Sequence, residues 1–308
     1  MNEEIFFVTI KKSRPLRNLK RAISKKFLLN NSSRFLEVND QMVVFSHDII
    51  AHHINLDGFY EKEELEFIFS WFETLNTSTK EKLFNGNALD VGANIGNHSL
   101  YFSKYFQKVY SFEPHPKIFK LLQINSELRK NIEIENIGLS NVSKASTLFF
   151  NNENMGASSL DTSLIPGSSE AKVQLKKIDD LENIGNITFL KIDVEGHEDK
   201  VIEGSKQVII ENQPFIMFEQ FPSEISRGSS KTLDLLKTMG YKKFGIMESS
   251  SNLQSSNRYF SYFLTVMNII SRLIFGKKVF LKIEKDFSPK YYQFILAIPG
   301  WISEKENR

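Results

Sequence analysis

The fold of this 308-residue chain is decided by the stretch Asn87-Ala88-Leu89-Asp90-Val91-Gly92-Ala93-Asn94-Ile95-Gly96. Its first half predicts a buried strand that breaks at Gly92, and a helical pattern begins at Asn97. A glycine at such a strand-to-helix turn lets the backbone bend sharply and lets a ligand approach closely. The dinucleotide fingerprint G-x-G-x-x-G is not met, because Asn94 takes the second glycine position. The loop therefore suits a ligand without a pyrophosphate, or else it is a tight turn that binds nothing.

Segments on both sides of this turn alternate between strand and helix patterns. Strands are predicted at residues 87–91, 109–112, 132–137, 187–192, 215–218, 241–246 and 291–298, and helices at 97–105, 118–128, 230–239 and from 198 onward. Such alternation indicates an α/β fold, in which a mostly parallel, doubly wound sheet carries helices on both faces. Ligands bind to these sheets beyond the carboxyl ends of the strands, where the strand order reverses.

Acidic residues stand at the ends of three predicted strands. Asp90 is near the end of the first, Glu113 follows the second and Asp193 follows the fourth, so all three reach one crevice. Glu113 lies 21 residues beyond Gly92 (113 − 92), close to the spacing of about 20 at which an acid binds the ribose hydroxyls of a nucleotide. A carboxylate offers two acceptor oxygens to a vicinal diol. The alternative for Glu113 is a cap on the helix that follows it.

The composition excludes several classes of chemistry. Apolar residues make up 41% and charged residues 25% of the chain, as in ordinary globular proteins, and a net charge of +2 does not indicate a nucleic-acid partner. The chain has no cysteine, which excludes disulfides, thiolate metal sites, cysteine-held iron–sulfur clusters and thiol nucleophiles. The longest apolar stretch, residues 259–275, is interrupted by Asn268 and Arg272 and is short for a membrane-spanning helix. We expect a cytoplasmic protein.

Two segments fall outside the strand–helix pattern. Residues 1–40 form a basic N-terminal extension with nine Lys/Arg against four acids, and apolar residues recur at helical spacing between Leu16 and Phe27. This predicts a helix that packs on the domain or lies on the inner, anionic face of a membrane. Residues 248–286 form an insertion that is first serine-rich, then apolar and then basic. The insertion predicts a helix in the core or at a dimer interface, or a contact with a lipid-linked substrate.

Three motifs occur in order: Leu89–Gly96, then Tyr110-Ser111-Phe112-Glu113-Pro114, then Leu190-Lys191-Ile192-Asp193-Val194-Glu195-Gly196-His197-Glu198. Their combination and spacing resemble the FkbM family of methyltransferases, with a weaker echo at Gly58-Phe59-Tyr60-Glu61. The resemblance implies a methyltransferase domain at residues 41–300 with a Rossmann-like class I fold, S-adenosylmethionine (AdoMet) as cofactor and transfer of a methyl group. Members of the family typically methylate hydroxyls, often those of sugars.

The resemblance also implies positions around the cofactor. Glu113 would hold the ribose and Asp193 would face the sulfonium. The residues around the methionine part would be Asp90, Gly92, Ala93, Asn94, Gly96 and Asn97. Those beside the adenine would be Asn136, Ile137, Gly138 and Leu139. If the segment containing Tyr60 and Glu61 folds over the cofactor, these two residues would line the acceptor pocket.

The third motif supplies the candidates for catalysis. Alternation along a strand would turn Lys191, Asp193 and Glu195 to one side, toward the mouth of the crevice. Transfer of a methyl group to an unactivated hydroxyl needs in-line placement and a base. Candidates for that base are Asp193, Glu195, His197 and Glu219.

Other roles stay open for these residues. His197 could cap the next helix or be exposed, Lys191 could be a buried ion-pair partner, and the two glutamates could orient a neighbour. No tight ligand spacing accompanies them, so no metal is expected, although the same acids and His197 could bind a divalent cation.

The sequence therefore predicts an AdoMet-dependent O-methyltransferase whose acceptor is a small molecule or a glycan, free or lipid-linked. A rival hypothesis is a catalytically silent AdoMet-fold protein that serves as an assembly partner at a membrane, because the extension and the insertion have suitable surfaces. Methylation of a nucleic-acid base is not expected, since Asp193-Val194-Glu195-Gly196 lacks the Asp/Asn-Pro-Pro-aromatic pattern of exocyclic-amine methylation. Peripheral membrane contact and an oligomeric state are both compatible with the sequence.

Overall fold

A computed structural model describes residues 19, 22–23, 26, 40–46, 48–150, 158–159, 169–249 and 279–302 of the chain. The chain divides into two units, Met1–Met42 and Val43–Arg308. In the described part of the first unit, Leu19, Ala22, Ile23 and Lys26 are helical. None of the described helices is long and apolar enough to span a membrane.

The second unit is built from helices and strands that alternate along most of its length. Its described helices are α1 (Ile49–Asp57), α2 (Lys62–Thr74), α3 (Thr77–Phe84), α4 (Asn97–Phe102), α5 (Pro116–Ser126), α6 (Glu198–Glu203), α7 (Lys206–Asn212) and α8 (Lys231–Thr238). Its described strands are β1 (Asn87–Val91), β2 (Val109–Phe112), β3 (Ile132–Glu135), β4 (Gly138–Leu139), β5 (Lys144–Phe150), β6 (Ser158–Ser159), β7 (Ser169–Lys176), β8 (Ile187–Ile192), β9 (Phe215–Gln220), β10 (Lys243–Ser249), β11 (Val279–Glu284) and β12 (Tyr292–Ile298).

The larger sheet has the strand order β11-β10-β12-β9-β8-β1-β2-β3. Neighbouring strands are parallel from β9 to β3 and antiparallel from β9 to β11. The mostly parallel α/β sheet predicted from the sequence is therefore confirmed. The chain runs outward from β1 to β2 and β3, and then returns to the other side of β1 with β8 and β9. The strand order thus reverses at β1, where such folds bind their ligands.

The register of the parallel strands aligns their carboxyl ends. Val91 at the end of β1 pairs with Phe112 and with Ile192, and Ile192 pairs with Phe218. The residues that follow these four strand positions therefore form one row along the edge of the sheet: Gly92, Glu113, Asp193 and Glu219.

Helices cover both faces of the sheet, as alternation along β8 illustrates. Phe189 is fully buried and its ring centre lies 5.0 Å from that of Phe102 in α4 and 6.0 Å from that of Phe72 in α2. The next residue, Leu190, belongs to the cluster on the opposite face, which includes Val201 from α6. Burial on both faces explains why four of the six β8 residues are apolar.

The structure differs from the sequence prediction in the segment after Glu198. One helix was expected there, but α6 and α7 are separate. The Ser205 hydroxyl donates to the carbonyl of Val201 at 2.7 Å and so competes with the helical backbone pattern, next to Gly204, a weak helix former.

Several described elements were not predicted at all. Helices α1 to α3 precede the first strand, and a second sheet with the order β4-β7-β5-β6 lies between β3 and β8 in the chain. In the predicted insertion, Val279–Glu284 forms β11 and pairs with β10, so this part is strand and not helix. The apolar residues 259–275 lie outside the described residues, and their predicted helix stays a prediction.

Because Phe189 packs against a layer of aromatic side chains, its truncation should strongly reduce the stability of the protein. Phe189→Ala should lower the free energy of unfolding by about 3–5 kcal/mol, because it removes a fully buried ring and leaves a cavity. Ile210→Ala is the matched control, since Ile210 is 48% exposed, and should change stability by less than about 0.5 kcal/mol. Guanidinium denaturation followed by circular dichroism measures both, and similar losses in the two variants would contradict this account of the core.

Candidate functional site

A cavity of about 660 Å³ opens beyond the carboxyl ends of β1, β2, β8 and β9. This volume is in the range of pockets that hold small ligands and cofactors. Of the residues predicted to bind or react, the wall includes Gly92, Ala93, Asn94, Asn97, Glu113, Gly138, Leu139, Lys191, Asp193, Glu195, His197 and Glu219. The structure thus brings together residues from four strand ends.

The loop after β1 has a left-handed backbone at alternate positions. The φ angles are +73° at Gly92, +50° at Asn94 and +91° at Gly96, and asparagine is one of the few residues with a side chain that adopts this conformation readily. A Cβ on Gly92 would lie 1.8 Å from the carbonyl oxygen of Asp193. The glycine is therefore required by a contact inside the protein, which packs the loop directly against the residue after β8.

A buried ion pair lies beneath the cavity. Lys191 Nζ is 3.2 Å from Asp90 Oδ1 and 3.3 Å from Asp193 Oδ2, and it donates to the carbonyl of Gly92 at 2.9 Å. Asp90 also accepts a hydrogen bond from the Ser99 hydroxyl at 2.6 Å. Burial opposes the Lys191 charge, but the Asp193 and Asp90 carboxylates raise its pKa above the usual value, so it remains a cation.

This arrangement corrects two expectations. Asp90 was predicted to lie beside the cofactor. It is instead completely buried, where it contacts Lys191 and the Ser99 hydroxyl. Strand β8 ends at Ile192, so strand alternation is not what brings Lys191, Asp193 and Glu195 together, although all three line the cavity. All three donor positions of the Lys191 ammonium are used within the protein, which indicates a positioning role.

Glu113 connects the loop after β1 to the end of β2. It is 5% exposed and accepts hydrogen bonds from the backbone N–H of Asn94 at 2.9 Å and of His115 at 2.8 Å. Burial raises the pKa of Glu113 to about 7, although these two hydrogen bonds and Lys191 oppose the shift. Its carboxyl group lines the cavity, with lone pairs left for hydroxyl donors.

One end of the cavity is apolar. Ile137, Gly138 and Leu139 line it after β3, and Leu148 and Leu175 of the second sheet complete it. Leu148 and Leu175 were missed because the strands of the second sheet were not predicted. Such a surface suits the face of a planar ring.

Besides Asp90, two further predicted cofactor contacts, Asn136 and Gly96, lie outside the described cavity wall. The Asn136 side-chain amide donates to the carbonyls of Glu113 at 2.7 Å and of Pro114 at 3.2 Å, so it braces the end of β2. Gly96 is the N-cap residue immediately before α4 and is not part of the described wall either.

The other end of the cavity is acidic. Asp193, Glu195 and Glu219 line it, together with Tyr60 and Tyr291. Burial, with the nearby Asp193 carboxylate, raises the pKa of Glu195 to about 7 and that of Glu219 to about 8. The Tyr291 hydroxyl donates a hydrogen bond to Glu219. Two carboxyl groups in this region can therefore exchange protons near neutral pH.

His197 lies between the cavity and the second sheet. Its Nε2 is 2.9 Å from the Ser140 hydroxyl, and burial lowers its pKa, so the ring is neutral at pH 7. Because Nε2 already has a partner, the carboxyl groups are better placed than His197 to accept a proton from a bound molecule.

A strap, Gly58–Glu61, crosses the cavity between α1 and α2. Asn97 at the start of α4 binds its backbone twice, since its side chain accepts from the N–H of Tyr60 at 2.9 Å and donates to the carbonyl of Tyr60 at 3.0 Å. Tyr60 and Glu61 line the cavity, and their place in an acceptor pocket stays a prediction. Asn97, predicted to contact the methionine part of the cofactor, also positions this strap.

Glu61 joins the strap to two other elements. It lies 3.0 Å from His98 Nε2 of α4 and accepts from the side chain of Gln293 in β12 at 2.9 Å. Burial opposes ionisation of Glu61, but the hydrogen bond and charge of His98 lower its pKa overall. Neither His98 nor Gln293 was predicted, because only the folded chain brings them to Glu61. Among the described residues, no group of three or more His, Asp or Glu side chains is arranged to hold a metal ion.

The family model of the FkbM methyltransferase domain matches residues 90–244, half of the chain, and covers the end of β1 and all of β2, β8 and β9. The chain belongs to the FkbM methyltransferase family. The resemblance found in the three sequence motifs is thereby confirmed.

Relatives of this FkbM chain are distant. "Methyltransferase 1" of Beauveria bassiana (strain ARSEF 2860) is 28% identical over 141 residues, which cover 38% of this chain and 57% of the relative. The solved FkbM methyltransferase of Methylobacillus flagellatus KT is 16% identical, with 54% of this chain and 40% of that chain covered and a TM-score of 0.33. The magnesium protoporphyrin IX methyltransferase of Synechocystis PCC 6803, solved with bound SAM, is 8% identical, with 75% and 90% covered and a TM-score of 0.38. None is close enough to transfer a substrate.

The contact between Gly92 and Asp193 predicts that alanine substitutions at two glycines of this FkbM site lower the free energy of unfolding by different amounts. Gly92→Ala should lower the free energy of unfolding by more than about 3 kcal/mol, because backbone strain is combined with a clash against a carbonyl. Gly196→Ala is the matched control, since its φ is +89° but a Cβ would meet no atom within 4 Å. It should cost only about 1–2 kcal/mol of conformational strain. Equal losses in chemical denaturation would argue against the packed loop.

Proposed function

We propose that this FkbM protein is an AdoMet-dependent methyltransferase that methylates a hydroxyl group of a sugar or related polyol. One observation carries the proposal: the row Gly92, Glu113, Asp193 and Glu219 faces a single cavity, which is apolar at one end and acidic at the other. AdoMet has the same polarity, with an adenine ring at one end and a cationic sulfonium and ammonium toward the other.

Each part of AdoMet has a proposed partner in this cavity. Ile137 and the leucines of the second sheet would flank the adenine, and Glu113 would accept hydrogen bonds from the ribose hydroxyls. The loop around Asn94 surrounds the methionine part, and Asp193 faces the sulfonium. Attraction between the sulfonium and the carboxylates of the acidic end favours the methylated cofactor.

The acidic end supplies a base for the proposed reaction. The acceptor oxygen attacks the methyl carbon, the sulfur–methyl bond breaks, and the products are a methyl ether, S-adenosylhomocysteine and a proton. That proton passes to a carboxylate, for which Glu219 and Glu195 are the candidates. Their raised pKa values of about 8 and about 7 suit a general base, because catalytic efficiency is greatest when the pKa lies near the working pH.

A sugar acceptor agrees with the chemistry of the same wall. A sugar hydroxyl is not acidic enough to react without a base, whereas a carboxylic acid is already ionised at neutral pH. Carboxylates accept hydrogen bonds from hydroxyls, and the hydroxyls of Tyr60 and Tyr291 can donate or accept. The resemblance to the FkbM family, whose members typically methylate hydroxyls and often those of sugars, supports the same choice here.

AdoMet binding tests the cofactor half of the proposal. Isothermal titration should show binding of AdoMet and S-adenosylhomocysteine, and Glu113→Ala should weaken both by about 10- to 100-fold, because hydrogen bonds to a charged acceptor are lost. Protonation of Glu113 below its pKa of about 7 removes the ionised acceptor. AdoMet affinity should therefore fall from pH 8 to pH 6, and less steeply in Glu113→Gln.

The control for this titration is Glu133→Gln on the neighbouring strand, since its carboxylate is 53% exposed and pairs with Lys108. It should bind AdoMet like the wild type. Absence of AdoMet binding to the folded wild-type protein would falsify the proposal.

Methyl transfer tests the acceptor half. Incubation with methyl-labelled AdoMet and a panel of sugars and glycosides should yield a base-stable methyl ether, detected by mass spectrometry. Substitution of the base, by Glu219→Gln or Glu195→Gln, should lower kcat by about 10²- to 10⁴-fold. In the wild type kcat should rise with pH through the range 7–8, because the base acts in its ionised form. AdoMet binding without transfer to any hydroxyl would instead favour the silent assembly partner.

A further inference from the structure

The acidic end of the cavity depends on an unusual turn between β8 and α6. Glu195 and Gly196 follow one another with φ angles of +54° and +89°. The first of these residues has a Cβ, and the left-handed conformation is unfavourable for it. Such a backbone persists only where surrounding contacts hold it in place. The side chain of Glu195, which faces the cavity, is oriented by this turn.

The Glu198 carboxyl group provides those contacts. Its Oε1 accepts hydrogen bonds from the backbone N–H of Val194 at 3.2 Å and from that of Gly196 at 3.3 Å. These N–H groups belong to the residues on either side of Glu195. Because both donate to one oxygen, they restrict the peptide units between them and with them the direction of the Glu195 side chain.

Glu198 is placed to act on the turn and not on a ligand. It is completely buried as the first residue of α6, and the described cavity wall does not include it. Its other oxygen, Oε2, has no hydrogen-bond partner among the described residues. Burial raises the pKa of Glu198 to about 8, so the group is largely a neutral acid at pH 7. A neutral acid is less costly to bury than a carboxylate and keeps Oε1 as an acceptor.

We propose that Glu198 is a positioning residue for methyl transfer: its buried carboxyl holds the N–H groups on both sides of Glu195 and so directs the Glu195 carboxylate into the acidic end of the cavity. The inference rests on the proposed function, in which that carboxylate lies near the sulfonium and the acceptor hydroxyl.

Two substitutions separate the role of the acceptor oxygen from that of the charge. Glu198→Gln keeps an oxygen acceptor in an uncharged group of the same shape, and Glu198→Ala removes the acceptor. Asp179→Ala is a matched control, because Asp179 also accepts from two backbone N–H groups, those of Gln207 and Val208, each at 3.0 Å. Its contacts are at the start of α7, and the described cavity wall does not include it.

The first measurement is the crystal structure of each variant. Glu198→Ala should show residues 194–196 in a different backbone conformation, with the Glu195 side chain turned away from its wild-type position. Glu198→Gln and Asp179→Ala should leave that turn unchanged. This measurement does not depend on cofactor binding.

The second measurement is the ratio of the Kd for S-adenosylhomocysteine to the Kd for AdoMet at pH 7.5. The two ligands differ by the methyl group and the positive charge, so the ratio reports on carboxylates near the sulfonium. Glu195→Gln and Glu198→Ala should each lower the ratio by about 5- to 10-fold, as expected for a carboxylate–cation pair in a partly solvated site. Glu198→Gln should retain the wild-type ratio, and so should Asp179→Ala, which loses stability alone.

The outcomes distinguish this inference from the proposed function. If Glu198→Ala keeps both the wild-type turn and the wild-type ratio, the role of Glu198 is overturned, even though AdoMet binds. If the wild type binds neither ligand, the proposed function fails, and the crystal structures still decide whether Glu198 holds the turn. Should Glu198→Ala not fold, Glu198→Asp withdraws the acceptor by one methylene, and the same shift of the turn and fall in the ratio are expected.

Discussion

The site depends on the interactions of one buried ammonium group, that of Lys191. A buried cation is costly unless it is fully paired and hydrogen-bonded, and Lys191 meets this condition only with Asp90, Asp193 and the carbonyl of Gly92 together. These partners come from the end of β1, the residue after β8 and the loop between β1 and α4. One charge therefore requires both strand ends to meet where the strand order of the sheet reverses.

The shape of the cavity follows from contacts that lie within the protein. Gly92 packs against the carbonyl of Asp193, and the two oxygens of Glu113 bind the backbone on either side of the cleft, at Asn94 and at His115. Groups that line the cavity are thus held in place by contacts with one another and with the backbone. A site of this kind binds and reacts without the cost of ordering its walls first.

Charge is distributed unevenly along the cavity. Lys191 at its floor is paired with the aspartates, while Glu195 and Glu219 lie near one another and near Asp193. Burial and repulsion by the Asp193 carboxylate raise the pKa values of both glutamates, so the pocket has carboxyl groups that can exchange protons at neutral pH. A cationic ligand would relieve the repulsion, and this links cofactor binding to the state of the base.

Local sequence by itself determined the parallel core and much of the site. The apolar strands around Leu89, Phe112 and Leu190 and the polar residue after each are short-range patterns, and register alone aligns them at one edge. Tertiary structure decided what each residue does there. Asp90 and Lys191 carry charges typical of an active site but are buried as a pair, and Asn136 braces a neighbour. His98 and Gln293 meet Glu61 only because α4 and β12 converge on the strap, and the second sheet closes the apolar end from residues whose pattern predicted no strand. Burial and long-range contacts depend on the path of the whole chain, and local sequence patterns do not specify that path.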